Sequence, residues 1–160
     1  MFSVTLLAVG KMKEKFYLDA AAEYQKRLGA FVSFSSIELP EQRLPENPSA
    51  AEIAQALEKE ADAIEKKLPK GAWLCALTPE GKEISSPEFA ELLSGLESAG
   101  RSSACFLIGS SFGMAQRLKD RADFCLSMGR MTFPHHLARI MALEQLYRAE
   151  SIRRGTRYHK

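Results

Sequence analysis

Apolar and polar positions along this chain fall into blocks whose spacing switches between two and about 3.6 residues, as when strands exchange with helices. Phe2 to Val9 is β-rich and closes at Gly10. Glu14 to Leu28 follows with helix formers and apolar residues at Phe16, Ala20, Tyr24 and Leu28, and Gly29 stops it. Phe34 to Leu39 reads as a second strand, and the proline-rich stretch PEQRLPENPS as a loop. Ser49 with Glu52 forms a capping box that opens a helix running to about Leu68. Trp73 to Leu77 is a third strand, followed by a turn over Thr78 to Lys82. Ser86 and Pro87 start a helix to about Ser98. Ser103 to Ile108 is an apolar strand that leads into Gly109-Ser-Ser-Phe-Gly113, a short helix near Met114 to Arg121, and a last strand at Phe124 to Met128.

Strands three to five are continuous apolar runs, a pattern that belongs to a mostly parallel sheet covered on both faces. The expected fold is therefore a Rossmann-like α/β sandwich forming one domain over residues 1–160. Ligands in such sheets bind beyond the carboxyl ends of strands. Three loops qualify, after Leu77, after Ile108 and after Met128.

The final helix, about His135 to Arg154, shows two apolar stripes on a helical wheel. Ile140, Leu143 and Tyr147 form one, and Leu137, Met141 and Ile152 the other. One sheet covers only one stripe, so the other is expected to meet a second copy of the same helix in a homodimer. His135, Arg139, Leu146, Glu150 and Arg153 share a further arc of about 60°.

Composition changes this picture little, but charge placement changes it more. Net charge is +2 over 160 residues. From Met131 onward six Lys and Arg face two acids, and all three histidines fall there. A basic, histidine-bearing end suggests an anionic partner, nucleic acid first; a solvated terminal helix and tail is the plainer reading. Cys75, Cys105 and Cys125 sit singly in apolar runs, which favours reduced thiols in a cytoplasmic protein over disulfides or zinc. The opening run MFSVTLLAVGK is too short and too weakly basic for a signal or membrane segment.

Candidate chemistry gathers in three places. Gly109 to Gly113 joins a strand to a helix, so its amides can approach a ligand, although a tight turn needs no ligand. Pro134 and the pair His135-His136 begin the last helix, where the dipole disfavours imidazolium and leaves a neutral ring able to accept a proton; surface histidines would look the same. Arg153, Arg154, Arg157, Tyr158, His159 and Lys160 combine cations with an aromatic, as a segment gripping phosphate and stacking on a base does, or as a frayed tail does. No metal-ligand spacing is present.

The segments KMKEKFYLDAAAEYQKRL, LIGSSFG and MTFPHHLARIMALEQLYRAESIRRGTRYHK resemble the ribosomal RNA large subunit methyltransferase H family, of the SPOUT superfamily. The likeness runs over the whole chain. It implies a homodimer whose C-terminal part threads a trefoil knot around S-adenosylmethionine. It also implies methylation of N3 of a pseudouridine in large-subunit ribosomal RNA on the assembled ribosome. Carried over by position, the cofactor contacts are Leu77, Gly109 and Met128, Gly129, Arg130, Met131, Thr132 and Phe133, which fall on the three loops already selected. The family usually has two glycines where this chain has Gly109-Ser110. The resemblance further implies a methyl group activated by its sulfonium, with no metal, so that the protein positions the acceptor nitrogen and helps remove its proton. His135 or His159 is the expected base or orienting group, and Arg139 and Arg154 the expected cations on phosphate or the developing anion. Two rivals are a non-catalytic ribosome-binding factor and a transfer RNA methyltransferase of the same fold.

Overall fold

A computed structural model describes all residues, 1–160. The elements are β1 (Ser3–Val9), α1 (Lys15–Leu28), β2 (Ser33–Leu39), α2 (Ala50–Lys67), β3 (Trp73–Glu83), α3 (Ser86–Ser98), β4 (Ser103–Ile108), α4 (Gln116–Arg121), β5 (Phe124–Ser127) and α5 (His135–Arg153). The strands form one sheet in the order β2-β1-β4-β3-β5, and every pairing is parallel. Because side chains alternate across a strand, β1 feeds both layers. Val4, Leu6 and Ala8 pack with α1, α3 and α5, while Leu7 and Val9 pack with α2 and α4. The α/β sandwich expected from the sequence is the observed architecture.

Local signals account for most boundaries. Ser49 Oγ accepts from the Glu52 N–H at 3.1 Å, and the Glu52 carboxylate accepts from the Ser49 N–H at 3.0 Å, so the capping box starts α2 as read. Ser85 caps α3 through the Glu88 N–H, with a proline in the first turn.

One expectation is corrected. Thr78 to Lys82 is not a turn; β3 continues through it to Glu83, with a register shift against β5 between Leu77 and Lys82. A Cβ on Gly81 would lie 2.7 Å from the backbone of Cys125, so only glycine lets this segment press against β5. Pro79 lies in the irregular stretch, where no ladder donor is needed.

Helix α5 packs between α1 and α3. Its deepest residues are Leu143, Leu146, Ala149, Glu150 and Ser151, with Arg139 and Ala142 nearly as buried. The arc carrying Arg139, Leu146 and Glu150 is thus the inner face, while Leu137, Ile140, Met141, Tyr147 and Ile152 are half-buried flanks. Neighbours on three sides bury the charges of Arg139 and Glu150 on that arc.

Candidate active site

The carboxyl ends of all five strands open on one edge of the sheet, as parallel pairing requires. There a cavity of about 590 Å³ lies between the irregular stretch of β3 at Leu77 to Pro79 and the loops after β4 and β5. Leu77 enters it from β3 and Gly109 from the end of β4. Met128, Gly129, Met131, Thr132 and Phe133 enter from the loop before α5. Of the cofactor residues expected from the sequence, only Arg130 is not in the lining; it is exposed.

The loop after β4 is held from within and from outside. Ser110 and Gly113 exchange backbone hydrogen bonds of 3.0 and 2.9 Å, closing a tight turn. A Cβ on Gly109 would fall 2.3 Å from the Gly113 carbonyl oxygen, so no larger residue fits there without moving backbone. Ser110 is buried, and its side chain is tolerated where Gly109 tolerates none. Glu41, from the loop after β2, accepts from the Ser111 N–H at 3.2 Å and from its hydroxyl at 2.6 Å. Ser127 ties the irregular stretch of β3 to the loop before α5: its hydroxyl lies 3.1 Å from both the Pro79 and Gly129 carbonyls and accepts from the Gly129 N–H.

His135 also lines the cavity, at the first turn of α5. Its ring stands 4.1 Å from that of His136, and its Nε2 is 4.0 Å from Glu41 Oε2. Gly10, at φ +107°, comes so close that a Cβ on it would meet His135 Nε2 at 2.9 Å. His135 Nε2 and His136 Nδ1 are buried without hydrogen-bond partners. Burial, the neighbouring His136 and Arg139 hold the His135 pKa below its usual value against the pull of Glu41 and Glu14. The ring is therefore neutral near pH 7.

Arg139 lies one turn further on but is not in the cavity lining. It donates to Glu38 at 2.6 Å and to the Gly10 carbonyl at 2.7 Å, and it is almost wholly buried. Burial raises the Glu38 pKa, but the bonds from Arg139 and the Met12 N–H outweigh it and hold the carboxyl below its usual range. This cluster fastens the loop after β1 to α5.

The C-terminal cations are distributed differently from what the sequence suggests. Arg153 and Arg154 both pair with buried Glu150. Arg153 also pairs with Glu97, and Arg154 donates to the Phe31 carbonyl. Tyr158 and His159 fold back onto α5. The Tyr158 hydroxyl donates to Glu144 at 3.0 Å, and burial, helped by that bond, pushes its pKa up to about 12. Arg148 Nη1 lies 3.1 Å from His159 Nδ1. Arginine only donates, so Nδ1 accepts and the ring proton sits on Nε2. Arg157 and Lys160 are exposed. Within one chain His135 and His159 are not brought together: about 13 residues of α5 rise, roughly 20 Å, separate His135 from Arg148, the residue that holds His159. The sequence reading missed Glu144 and Arg148; their i,i+4 spacing was the available signal.

A second cavity, about 600 Å³, lies beside the first and shares Met128 and Gly129 with it. Tyr24, Phe89, Ile140, Met141 and Glu144 line its far side. No group of three or more His, Cys, Asp or Glu side chains is placed to hold a metal ion, and no helix is long and apolar enough to cross a membrane.

A parallel α/β sheet with a cavity at its carboxyl edge, walled by a glycine turn and the loop before the last helix, defines a small-ligand-binding α/β protein of enzyme type. A family model described as "Predicted SPOUT methyltransferase" matches residues 2–159. A protein of Pelotomaculum thermopropionicum named ribosomal RNA large subunit methyltransferase H is 46% identical over 159 residues, covering 99% of each chain. One of the same name from Streptococcus equi subsp. zooepidemicus is 44% identical over 157 residues, covering 98% of this chain and 99% of that one. The crystal structure of a probable methyltransferase from Bordetella pertussis superposes with TM-score 0.57 at 19% identity, over 92% of this chain and 93% of that one, a likeness of fold. The chain belongs to the SPOUT methyltransferase family and, within it, to the ribosomal RNA large subunit methyltransferase H family.

Proposed function

We propose that this protein transfers a methyl group from S-adenosylmethionine to N3 of a pseudouridine in large-subunit ribosomal RNA, on the assembled ribosome. The observation that carries the reading is the cavity itself, whose walls hold Leu77, Gly109, Met128, Gly129, Met131, Thr132 and Phe133 in a chain of this family. The cavity also fits such a cofactor chemically. Apolar Leu77, Ile108, Met128 and Phe133 suit an adenosyl moiety, and Thr78 Oγ1, on a lining residue, is buried without a partner. The missing Cβ of Gly109 lets the Gly113 backbone close the turn that forms this part of the wall.

When bound, the cofactor supplies a methyl group already activated by the adjacent sulfonium. The chain's own residues then position the acceptor nitrogen in line and manage its imide proton. His135, neutral and at the cavity wall, is our candidate to accept or orient that proton. Arg139 acts through its ties to Glu38 and Gly10 as a positioning residue. His159 offers an Nε2–H donor to the substrate, and Arg157, Tyr158 and Lys160 stand at its approach.

We further propose that two copies pair through α5. Half-buried Leu137 and Met141 and the adjoining second cavity support this. Pairing would bring one copy's tail toward the other's cofactor cavity. The backing of β5 by the β3 extension is in keeping with the threaded path that the family resemblance implies. The test is mass spectrometry of ribosomal RNA after incubating unmodified ribosomes with protein and cofactor. One added methyl on one pseudouridine of the large-subunit RNA is expected. No added methyl, with no cofactor binding by calorimetry at millimolar concentration, would overturn the reading.

A further inference from the structure

Of the cations that the sequence points to for RNA, Arg153 and Arg154 are already paired with Glu150 on α5. The loop after β1 is arranged the other way. Lys11 and Lys13 are exposed, and neither has an ion-pair or hydrogen-bond partner in the chain. Between them Met12 turns inward to 4% exposure, and its N–H donates to Glu38 at 3.1 Å. Gly10 is fixed on both sides, its N–H donating to the Leu39 carbonyl at 2.7 Å and its carbonyl accepting from Arg139. The backbone is thus pinned at three points while two ammonium groups are held outward. Residues 10–14 contain one acid, Glu14, against these two lysines.

An aromatic stands beside them. Phe16, in the first turn of α1, is 66% exposed, and its ring lies 4.4 Å from that of Tyr17. A phenylalanine this exposed gains nothing from the core, and Tyr17 restricts where its ring can turn. Tyr17 in turn lies 6.2 Å from His136. Through Gly10 and His135 the loop borders the cofactor cavity directly.

We infer that Lys11, Lys13 and Phe16 form an RNA-binding surface for the single strand flanking the methylated nucleotide, with the lysines on successive phosphates and the phenylalanine under a base. Cations alternating with an aromatic face are what single-stranded nucleic acid requires, and a pinned backbone keeps them aligned at little entropic cost. An acidic protein surface would use the lysines but leave Phe16 without a purpose. The inference rests on the RNA methyltransferase reading and adds to it where the strand runs: along the β1 side of the cavity, on a surface separate from the C-terminal tail.

The test compares Lys11→Gln/Lys13→Gln with Lys66→Gln/Lys67→Gln, which removes equal charge from exposed positions at the end of α2, on the opposite edge of the sheet. Methyl transfer to large ribosomal subunits and direct binding of a hairpin RNA are measured across a salt series. For the loop variant the RNA KM is expected to rise about tenfold, and the slope of log affinity against log salt to fall by about 1.4, or roughly 0.7 for each phosphate that is no longer neutralised. kcat at saturating RNA and calorimetric cofactor affinity stay at the wild-type level, and the α2 variant behaves as wild type. Phe16→Ala is expected to raise KM at least about fivefold, and Phe16→Trp to restore it. A wild-type KM and salt slope in the loop variant, or equal losses in the α2 variant, would overturn the inference. Wild-type protein that binds RNA through these lysines yet transfers no methyl would instead remove the activity and leave the surface standing.

Discussion

Glu150 is the residue whose surroundings most change the meaning of the C-terminal sequence. It is 1% exposed on the inner face of α5, and both Arg153 and Arg154 are committed to it. Removing both partners strands a buried carboxylate, so Arg153→Ala/Arg154→Ala is expected to cost about 3–5 kcal/mol in urea unfolding. Losing activity without that stability loss would instead assign these arginines to RNA. His135 makes a second, pH-resolved prediction. Its folded pKa lies below the ordinary 6.5, chiefly through burial. Between the folded value and 6.5 the unfolded chain binds the extra proton, so stability rises with pH through that window and is level above it. His135→Gln is expected to flatten that part of the profile, read as the urea midpoint from about pH 5 to pH 7.5. The helical spacing of Glu150 to Arg153 and Arg154 was visible in the sequence. The burial that gives the pairing its weight was not, because it comes from α1 and α3 packing on either side.

At the scale of elements, the glycine turn after β4 is the most constrained piece of the cavity wall. Gly109→Ala drives a Cβ into the Gly113 carbonyl, a backbone clash that no rotamer relieves. It is expected to cost about 1–3 kcal/mol of stability and to abolish cofactor binding by calorimetry. The three stretches that wall the cavity were legible from the apolar runs they follow, each ending at the carboxyl edge of a parallel sheet, although the one beyond Leu77 proves to be strand and not loop. The extension of β3 was not, because Thr78-Pro-Glu-Gly-Lys82 has the composition of a turn. Only its docking on β5 makes it extended, and Gly81 is the one local residue that admits the contact.

At the scale of the whole molecule, the separation of His135 and His159 along α5 makes a subunit question unavoidable. Should one copy's cavity be completed by the other's tail, Gly109→Ala protein and protein truncated after Gly155 are each inactive alone. Mixed and re-equilibrated in equal amounts, they are expected to recover about a quarter of wild-type activity: half the dimers are mixed, and each holds one intact site. No recovery from a demonstrably mixed dimer would place the whole site in one chain.

The sequence by itself determined the order of elements, the parallel sheet, the capping box of α2 and the edge on which the cavity opens. These follow from period, capping residues and apolar runs, which are properties of neighbours along the chain. Tertiary structure alone decided which arc of α5 faces inward, which arginines are neutralised, and which lysines remain free beside the cavity. The physical reason is that a charge's role depends on the dielectric and the partners around it, and those are supplied by residues distant in sequence. Glu38 meets Arg139 across 101 positions, and no local pattern in either segment announces the pair.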